Sequence, residues 1–500
     1  MGIYFQRLLS TFFTTFFAIP CFAILCFMLP ATTSFAADLT WASKSVVKLF
    51  VTQQSWKVSQ PWSKSRARQS TCTGFFIKQG ILTNAHCIAD ATYIEVEVPG
   101  VADKIETKLI AVNHQIDLAL LSPLNDSRIS NISFIEFDDL PDLREKVVTV
   151  GYPNGGRQVS YTEGVVSRID VMRYVHSNIS APLVQTDASI NSGNSGGPVF
   201  SDKTGSCLGV ATQKLSSGEG LGYFIPTTII RQFLLDIEDS NVNGIPSLGV
   251  FFQTLENPAA RAQLKLTKSQ SGIRIRNITK SGTLDQILKE NDVLLKIDGK
   301  TILNDGRVPF QENGRIWLSY HVATKQVGDK LKLSYARDGK IHNIEVVLKP
   351  FRLTLIPRQP QYDQQPNYYV AGGLLFIAVE PRYLWNWGPN WSKNIPTSLK
   401  AHESTIYGHQ DLEQLVVISE VFDASVNKGY SGEIENIRVK NINGKNVLRL
   451  SDVVNAFETN TDDFHIIELE SNINIVLNRQ QANTDNVEIR KRYDIQKNVD

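Results

Sequence analysis

Short runs in which apolar and polar residues alternate dominate the first half of the chain. Residues 93–98 (YIEVEV) put apolar side chains at every second position, a pattern typical of a half-buried strand. Similar runs, separated by Gly, Asn and Pro, recur at residues 45–51, 74–77 and 146–151. Evenly spaced short strands of this kind indicate a barrel or a sandwich.

The second half of the chain carries the mixed pattern of small α+β domains. Strand patterns at residues 272–276 and 292–300 flank a short helical run at 281–288. A weaker copy follows, in which residues 439–445 (VKNINGK) repeat the turn of 294–300 (LLKIDGK). We therefore predict a tandem repeat of one small domain.

Composition shifts and loop residues set the predicted boundaries. They are 1–36 for a targeting segment, 37–245 for the first domain, 246–350 for the second, 351–367 for a Pro- and Gln-rich linker, 368–480 for the third and 481–500 for a polar tail.

Residues 1–36 have the layout of a secretory signal peptide. Arg7 is followed by a long apolar stretch, and Ser34 and Ala36 supply small residues before a cut after Ala36. Because the apolar stretch is long enough to span a bilayer, an uncleaved N-terminal anchor stays open. We expect the rest of the chain to be exported, to the periplasm or, alternatively, as a secreted or membrane-anchored protein.

Composition and charge exclude several classes of function. The 500 residues are 42% hydrophobic and 20% charged, which is ordinary for a globular protein of several domains. The 51 basic and 50 acidic residues leave no electrostatic footprint for nucleic acid, and we expect membrane contact only through an uncleaved N-terminal segment. No phosphate-binding or dinucleotide fingerprint and no histidine pair at helical spacing occurs, so no cofactor and no metal is predicted.

Three segments carry candidate catalytic chemistry. Ser195 lies in GNSGGP, where glycines allow a turn that exposes a hydroxyl and directs backbone N–H groups at an oxyanion. His86 ends ILTNAH, and Asp117 precedes the apolar run LALL, where a buried carboxylate needs a partner such as an imidazole N–H. A Gly-rich surface turn, a structural histidine and a turn-capping aspartate are the alternatives. The order His86, Asp117, Ser195 is that of chymotrypsin-type triads and favours catalysis.

Taken together, these segments resemble the HtrA/Deg family of serine proteases. The matching segments within residues 72–230 are ILTNAHC, QIDLALL, VGYPNGG, YTEGVVSRID, QTDASINSGNSGGPVF and GLGYFIPTTI. The similarity continues through SLGVFFQTLENPAAR and LKENDVLLKIDGKTI into a unit similar to a PDZ domain, and the long tail is similar to a subgroup best known from plants. The resemblance implies a mainly β protein, with a chymotrypsin-like double β-barrel followed by two PDZ-like α+β domains.

The resemblance also assigns roles to the catalytic residues. Ser195 attacks the scissile carbonyl, His86 takes its proton and later protonates the leaving amine, and Asp117 holds the tautomer of His86. The oxyanion hole is predicted at Gly193, Asn194 and Ser195, with the backbone N–H groups of Gly193 and Ser195 as its donors.

Candidate walls of the specificity pocket are Ser189, Ile190 and Ala211. Position 189 carries Ser and not the acidic residue of a trypsin-like pocket, so we expect small or medium apolar residues at P1. Asp187 is interpreted as a scaffold residue.

Cys72 and Cys87 are placed like the bridge that flanks the histidine in secreted chymotrypsin-like proteases, and we predict a disulfide, with two buried thiols as the alternative. For peptide binding by the first PDZ-like domain, Gly272 and Ile273 are the candidates. In the second such domain residues 371–374 (AGGL) are the candidate loop, with a plain turn as the alternative.

The resemblance implies a homo-oligomer, a trimer or a multiple of trimers, with Trp56 and Trp62 as candidate contacts. The predicted function is an ATP-independent serine endopeptidase that degrades misfolded or unfolded proteins and peptides in the cell envelope, with PDZ domains that bind peptides or regulate assembly. A chaperone with marginal proteolysis and a secreted protease acting on host proteins are the alternatives.

Overall fold

The computed structural model describes residues 37–495 apart from a few short segments. These segments are 124–128, 130–131, 154–155, 215–220, 239–241, 313, 351–354, 404–412, 431 and 471. The predicted signal segment 1–36 lies outside the described residues. Within the described part, no helix is both long and apolar enough to cross a membrane.

The first barrel is closed by six antiparallel strands. They are β1 (Val46–Gln53), β2 (Arg68–Ile77), β3 (Gly80–Thr83), β4 (Ala91–Glu97), β5 (Ile105–Asn113) and β6 (Leu118–Pro123), joined in the order β1-β2-β3-β6-β5-β4. Helix α1 (Ala85–Ile88) follows β3, and a 3-10 turn (Thr40–Lys44) precedes β1. Val47, Leu49 and Val51 of β1 pack against Ile94 and Val96 of β4, which fulfils the alternation seen in the sequence.

The second barrel repeats this plan. Its strands are β7 (Lys146–Gly151), β8 (Ser160–Arg173), β9 (Ser180–Thr186), β10 (Pro198–Ser201), β11 (Cys207–Lys214) and β12 (Gly222–Pro226), joined in the order β10-β11-β12-β9-β8-β7. Helix α2 (Thr227–Asp236) closes the domain and buries Ile229, Ile230 and Phe233. Two closed barrels confirm the predicted chymotrypsin-like fold.

The second unit begins with β13 and ends with β22. Its strands are β13 (Pro246–Ser247), β14 (Val250–Gln253), β15 (Ile273–Ile278), β16 (Val293–Ile297), β17 (Lys300–Thr301), β18 (Arg307–Phe310), β19 (Gly314–Trp317), β20 (Lys330–Arg337), β21 (Lys340–Val347) and β22 (Lys349–Pro350). The helices are α3 (Pro258–Gln263) and α4 (Tyr320–Ala323). The main sheet has the order β14-β15-β16-β20-β21, so β14 is an edge strand.

The third unit has two small sheets and a terminal helix. Its strands are β23 (Tyr368–Ala371), β24 (Leu374–Ala378), β25 (Val416–Val421), β26 (Val439–Ile442), β27 (Lys445–Asn446), β28 (Phe464–Leu469) and β29 (Asn474–Asn478). Its helices are α5 (Pro381–Leu384), α6 (Trp391–Asn394), α7 (Thr397–Glu403), α8 (Leu450–Glu458) and α9 (Arg479–Arg492), with 3-10 turns at Trp385–Trp387, Ser425–Asn427 and Gly432–Ile434.

The predicted polar tail, residues 481–500, is instead part of this third unit as far as Ile495. Residues of α9 and beyond, such as Ile489 and Ile495, are buried at 1% and 3% exposure. The stretch is polar because α9 buries only Ala482, Asp485 and Ile489 against the unit, and composition alone does not reveal so narrow a contact.

Trp62, predicted as a contact between subunits, packs inside the chain. Its ring lies 5.6 Å from that of Tyr368 and 6.0 Å from that of Phe422, both in the third unit. The ring is therefore half-buried within this chain. Trp56 carries Lys64 over its ring at 4.8 Å.

Candidate active site

The candidate catalytic histidine and aspartate come from two neighbouring segments of the first barrel. His86 lies on α1, directly after β3, and Asp117 lies directly before β6. The Asn84 side chain donates to the Asp117 carbonyl (2.9 Å), and the His86 backbone N–H donates to Asp117 Oδ1 (2.8 Å). Asp117 has a left-handed φ of +56°, which turns the chain so that its carboxylate faces α1.

The imidazole of His86 is held by the carboxylate of Asp117. Nδ1 lies 2.8 Å from Oδ2 and 3.0 Å from Oδ1, while Asp117 is 1% exposed. Burial alone would lower the pKa of His86, but the charge and hydrogen bond of Asp117 outweigh it and raise that pKa. Burial would likewise raise the pKa of Asp117, and His86 lowers it instead. With Nδ1–H donating to Asp117, the other nitrogen of neutral His86 is an acceptor, as a general base requires.

Thr212 is a further residue of this site that sequence reasoning missed. Its hydroxyl donates to Asp117 Oδ2 at 2.5 Å, from β11 of the second barrel. The carboxylate thus has partners from both barrels. No sequence motif marks Thr212, which stands where the register of β11 shifts, 95 residues from Asp117.

The nucleophile candidate, Ser195, lies in the turn that precedes β10 of the second barrel. Its hydroxyl donates to the Thr212 carbonyl at 2.9 Å, so its proton is directed there and not at His86. Catalysis requires rotation of this side chain until it donates to the Nε2 atom of His86. The structure therefore holds the triad in one cleft with its serine turned aside.

The turn before Ser195 presents backbone N–H groups to the cleft. Among the described residues, the N–H groups of Gly193 and Ser195 have no protein acceptor, as an oxyanion hole requires. The Asn194 N–H between them donates to the Asn191 carbonyl (3.0 Å), so it is not a further donor to the hole.

The first barrel fixes this turn through Thr73. Its hydroxyl donates to the Gly193 carbonyl (2.6 Å), and its N–H donates to the Ser195 carbonyl (2.9 Å). Gly196 must be glycine here, because a Cβ would lie 2.1 Å from the Thr73 carbonyl oxygen and φ is +85°.

The predicted pocket residues lie beside this turn. Ile190 and Ala211 are buried at 2% and 0% exposure, whereas Ser189 is exposed. A Cβ on Gly222 would lie 2.9 Å from the Ile190 side chain, so Ile190 occupies the space that faces β12. Asp187 accepts the Val165 N–H (2.6 Å), in keeping with a scaffold role.

The predicted disulfide between Cys72 and Cys87 is present, with a Cα–Cα distance of 6.0 Å. It ties β2 to α1 beside the catalytic histidine. Cys72, Cys87 and His86 also form the one group of three potential metal ligands in the described part of the chain. Because the two sulfurs are bonded to each other, they offer no thiolate to a metal ion.

Gly272 and Ile273, predicted to bind peptides, lie at the start of β15. Ile273 pairs with Leu294 of β16 and is fully buried, and the Gly272 N–H donates to the Asn304 side chain (3.2 Å), so both residues are engaged within the domain. In the third unit the Gly372 N–H donates to the Asn486 side chain of α9 (2.7 Å). That loop is therefore covered by the chain itself.

Comparisons with known proteins agree with this geometry. Residues 72–210 match the trypsin-like peptidase domain, and residues 246–348 and 356–499 each match a PDZ domain. Among solved structures, a substituted form of the HtrA-type protease AlgW with a decapeptide covers 63% of this chain and 96% of its own, with a TM-score of 0.50 and 23% identity. That likeness concerns the fold.

Two proteins of Arabidopsis thaliana are similar over most of the chain. Protease Do-like 2, chloroplastic, is 35% identical over 456 residues, which cover 90% of this chain and 74% of that protein. Putative protease Do-like 3, mitochondrial, is 34% identical over 452 residues, with coverages of 90% and 78%.

Proposed function

Because this chain belongs to the Do-like (HtrA/Deg) family of trypsin-like serine endopeptidases with PDZ domains, we propose that it degrades misfolded or unfolded proteins in the cell envelope without ATP. The observation that carries the proposal is the triad His86, Asp117 and Ser195 in a cleft between two barrels, followed on the same chain by two PDZ domains. A cleft of this kind accepts an extended chain, and unfolded proteins supply such chains. The absence of a phosphate-binding loop from the sequence supports independence from ATP.

The first PDZ domain supplies the peptide-binding part of the proposal. Strand β14 is the edge strand of the main sheet, where it pairs with β15. An extended peptide adds to such an edge through main-chain hydrogen bonds. We place peptide capture by this domain at residues 250–253.

Two measurements test the proposed function. Purified residues 37–500 are incubated without nucleotide with a reduced, permanently unfolded protein and with its folded, disulfide-bonded form. We expect cleavage of the unfolded form only, and none by Ser195→Ala. Equal cleavage of both forms, or dependence on ATP, would contradict the proposal. Fractionation of cells that express the chain with and without residues 1–36 tests the location, because export requires that segment.

The orientation of Ser195 favours one second candidate, a chaperone with marginal proteolysis. Its hydroxyl donates to Thr212 and not to the general base. For a chaperone, Ser195→Ala suppresses aggregation of an unfolded protein as well as the wild type does, and the wild type shows no turnover. Repeated cleavage of the unfolded protein by the wild type would show that the chain acts as a protease.

A further inference from the structure

A short segment that follows the first PDZ domain, residues 361–365, lies against the protease domain beside its catalytic histidine. Asp363 exchanges two hydrogen bonds with Asp90. The Asp90 N–H donates to Asp363 Oδ1 (2.5 Å), and the Asp363 N–H donates to Asp90 Oδ1 (2.9 Å). Asp90 follows α1, four residues after His86. The segment is therefore joined to the end of the helix that carries the general base.

The second carboxylate oxygen of Asp363 contacts an imidazole. Oδ2 lies 2.7 Å from His114 Nε2, and His114 stands three residues before Asp117. Burial alone would raise the pKa of Asp363, but the hydrogen bonds and charge of its neighbours, His114 first, lower it. Asp363 is thus an ionised acceptor at this position.

The hydrogen bonds continue into the cleft through His176, which lies in the hairpin between β8 and β9. His114 Nδ1 lies 2.9 Å from His176 Nε2, and the His176 ring is 6.1 Å from the His86 ring. Tyr362 stacks on His176 at 4.4 Å and 16°, and its hydroxyl donates to the His176 carbonyl (3.2 Å). Burial lowers the pKa of His176 to about 4, so this ring is neutral near pH 7.

These contacts orient both rings. Asp363 accepts from Nε2–H of His114. Of His114 Nδ1 and His176 Nε2, one nitrogen donates and the other accepts. The negatively charged Asp363 therefore contacts His114, His114 contacts His176, and the His176 ring lies beside the His86 ring. His86 becomes an imidazolium in the transition state.

We propose that Asp363 is a positioning residue for the catalytic pair of His86 and Asp117, acting through His114 and His176. A residue outside the protease domain thus completes the surroundings of the triad. Proteolysis is fastest when residues 361–365 are bound to the protease domain.

Other charged and titratable groups face this arrangement from every side. They are Asp90, Asp117, Tyr362, Glu380 and Arg382. Arg382 pairs with Asp90 (3.5 Å) and Glu380 (3.0 Å), so those carboxylates are already compensated, and Asp363 is the acid that His114 contacts.

The test uses Asp363→Asn in the chain of residues 37–500. Asparagine keeps the size of the side chain but removes its charge and places an NH2 group where one oxygen was. We expect the rate of Ser195 labelling by a small fluorophosphonate, and kcat on a short peptide, to fall roughly tenfold at unchanged KM. The acid limb of the pH–rate profile should move down by about 0.5 pH unit, because removal of a negative charge lowers the pKa of His86.

Gln365→Ala is the matched control, since the Gln365 side chain donates to the Pro61 carbonyl (2.9 Å) and is a docking contact of the same segment that does not involve the histidines. It should leave rate and pH profile unchanged, and Asp363→Glu should restore most of the rate. If Asp363→Asn equals Gln365→Ala, or if only KM rises, Asp363 serves docking alone and the proposal is wrong. Both probes are small, so the result is independent of whether unfolded proteins are the natural substrates.

Discussion

At the residue scale, the chemistry of the cleft depends on how the carboxylate of Asp117 is compensated. It is 1% exposed and accepts from the His86 backbone, the His86 ring and the Thr212 hydroxyl. A buried carboxylate without such partners would be too costly to keep ionised. The same bonds orient the ring that must accept the proton of Ser195.

Thr212→Val removes one of these bonds at nearly constant volume. We expect kcat to fall roughly tenfold, because the carboxylate loses a charge-assisted hydrogen bond and its fixed orientation. KM on a short peptide should stay within twofold. Thr212→Ser keeps the hydroxyl and should retain most activity, whereas equal loss in both variants would show that the methyl group matters instead.

The pH dependence follows from His86. Only its neutral form accepts a proton, and its pKa is raised above the ordinary 6.5. The kcat/KM value should therefore rise with pH through a midpoint above 6.5.

Asp117→Asn should lower kcat by about 10⁴-fold, because His86 is then held in the wrong tautomer. Any remaining acid limb should lie at lower pH, because the charge that raised the pKa is gone. If the acid limb of the pH–rate profile stays in place in Asp117→Asn, Asp117 does not raise the pKa of His86.

At the element scale, the disulfide joins β2 to the short helix that carries the general base. Helix α1 has only four residues, too few to be stable by itself. Its position is set by the bridge at Cys87, by Asn84 and by Asp117.

The double substitution Cys72→Ala and Cys87→Ala should lower the free energy of unfolding of the protease domain by about 3 kcal/mol, from loss of a loop closed across 15 residues. Calorimetry with and without a reductant measures this. Reductant should lower the midpoint of the wild type and leave the variant unchanged. Cys207 does not disturb the comparison, since it is buried and its pKa is raised to about 12. Equal midpoints for variant and wild type would count against the bridge as a stabilising element.

At the scale of the whole molecule, the third unit is held against the protease domain by aromatic packing around Trp62. A buried aromatic side chain contributes a few kcal/mol to the contact that it fills. Trp62 therefore joins the protease domain to the third unit.

Trp62→Ala should weaken the contact of the third unit with the protease domain without changing the mass of the assembly. Limited proteolysis should cut residues 355–367 faster, and light scattering should report the same mass as for the wild type. Trp56→Ala, which removes a surface contact with Lys64, is the matched control and should be cut at the wild-type rate. A lower mass for Trp62→Ala would place this ring between subunits.

Sequence alone determined the triad, the fold class and the PDZ repeat, because each depends on short motifs. The glycines around Ser195, the turn at His86 and the strand alternation act within a few residues of one another. The disulfide was predictable as well, from the placement of Cys72 and Cys87 around the histidine.

Only the tertiary structure decided the contacts that join distant segments. Thr212 reaches Asp117 across the two barrels, and Asp363 reaches His114 across 249 residues. The Asn194 N–H is lost to a local turn whose geometry the motif does not specify. Side chains that meet through packing of separate domains leave no periodicity or spacing in the chain, so their roles follow only from the folded molecule.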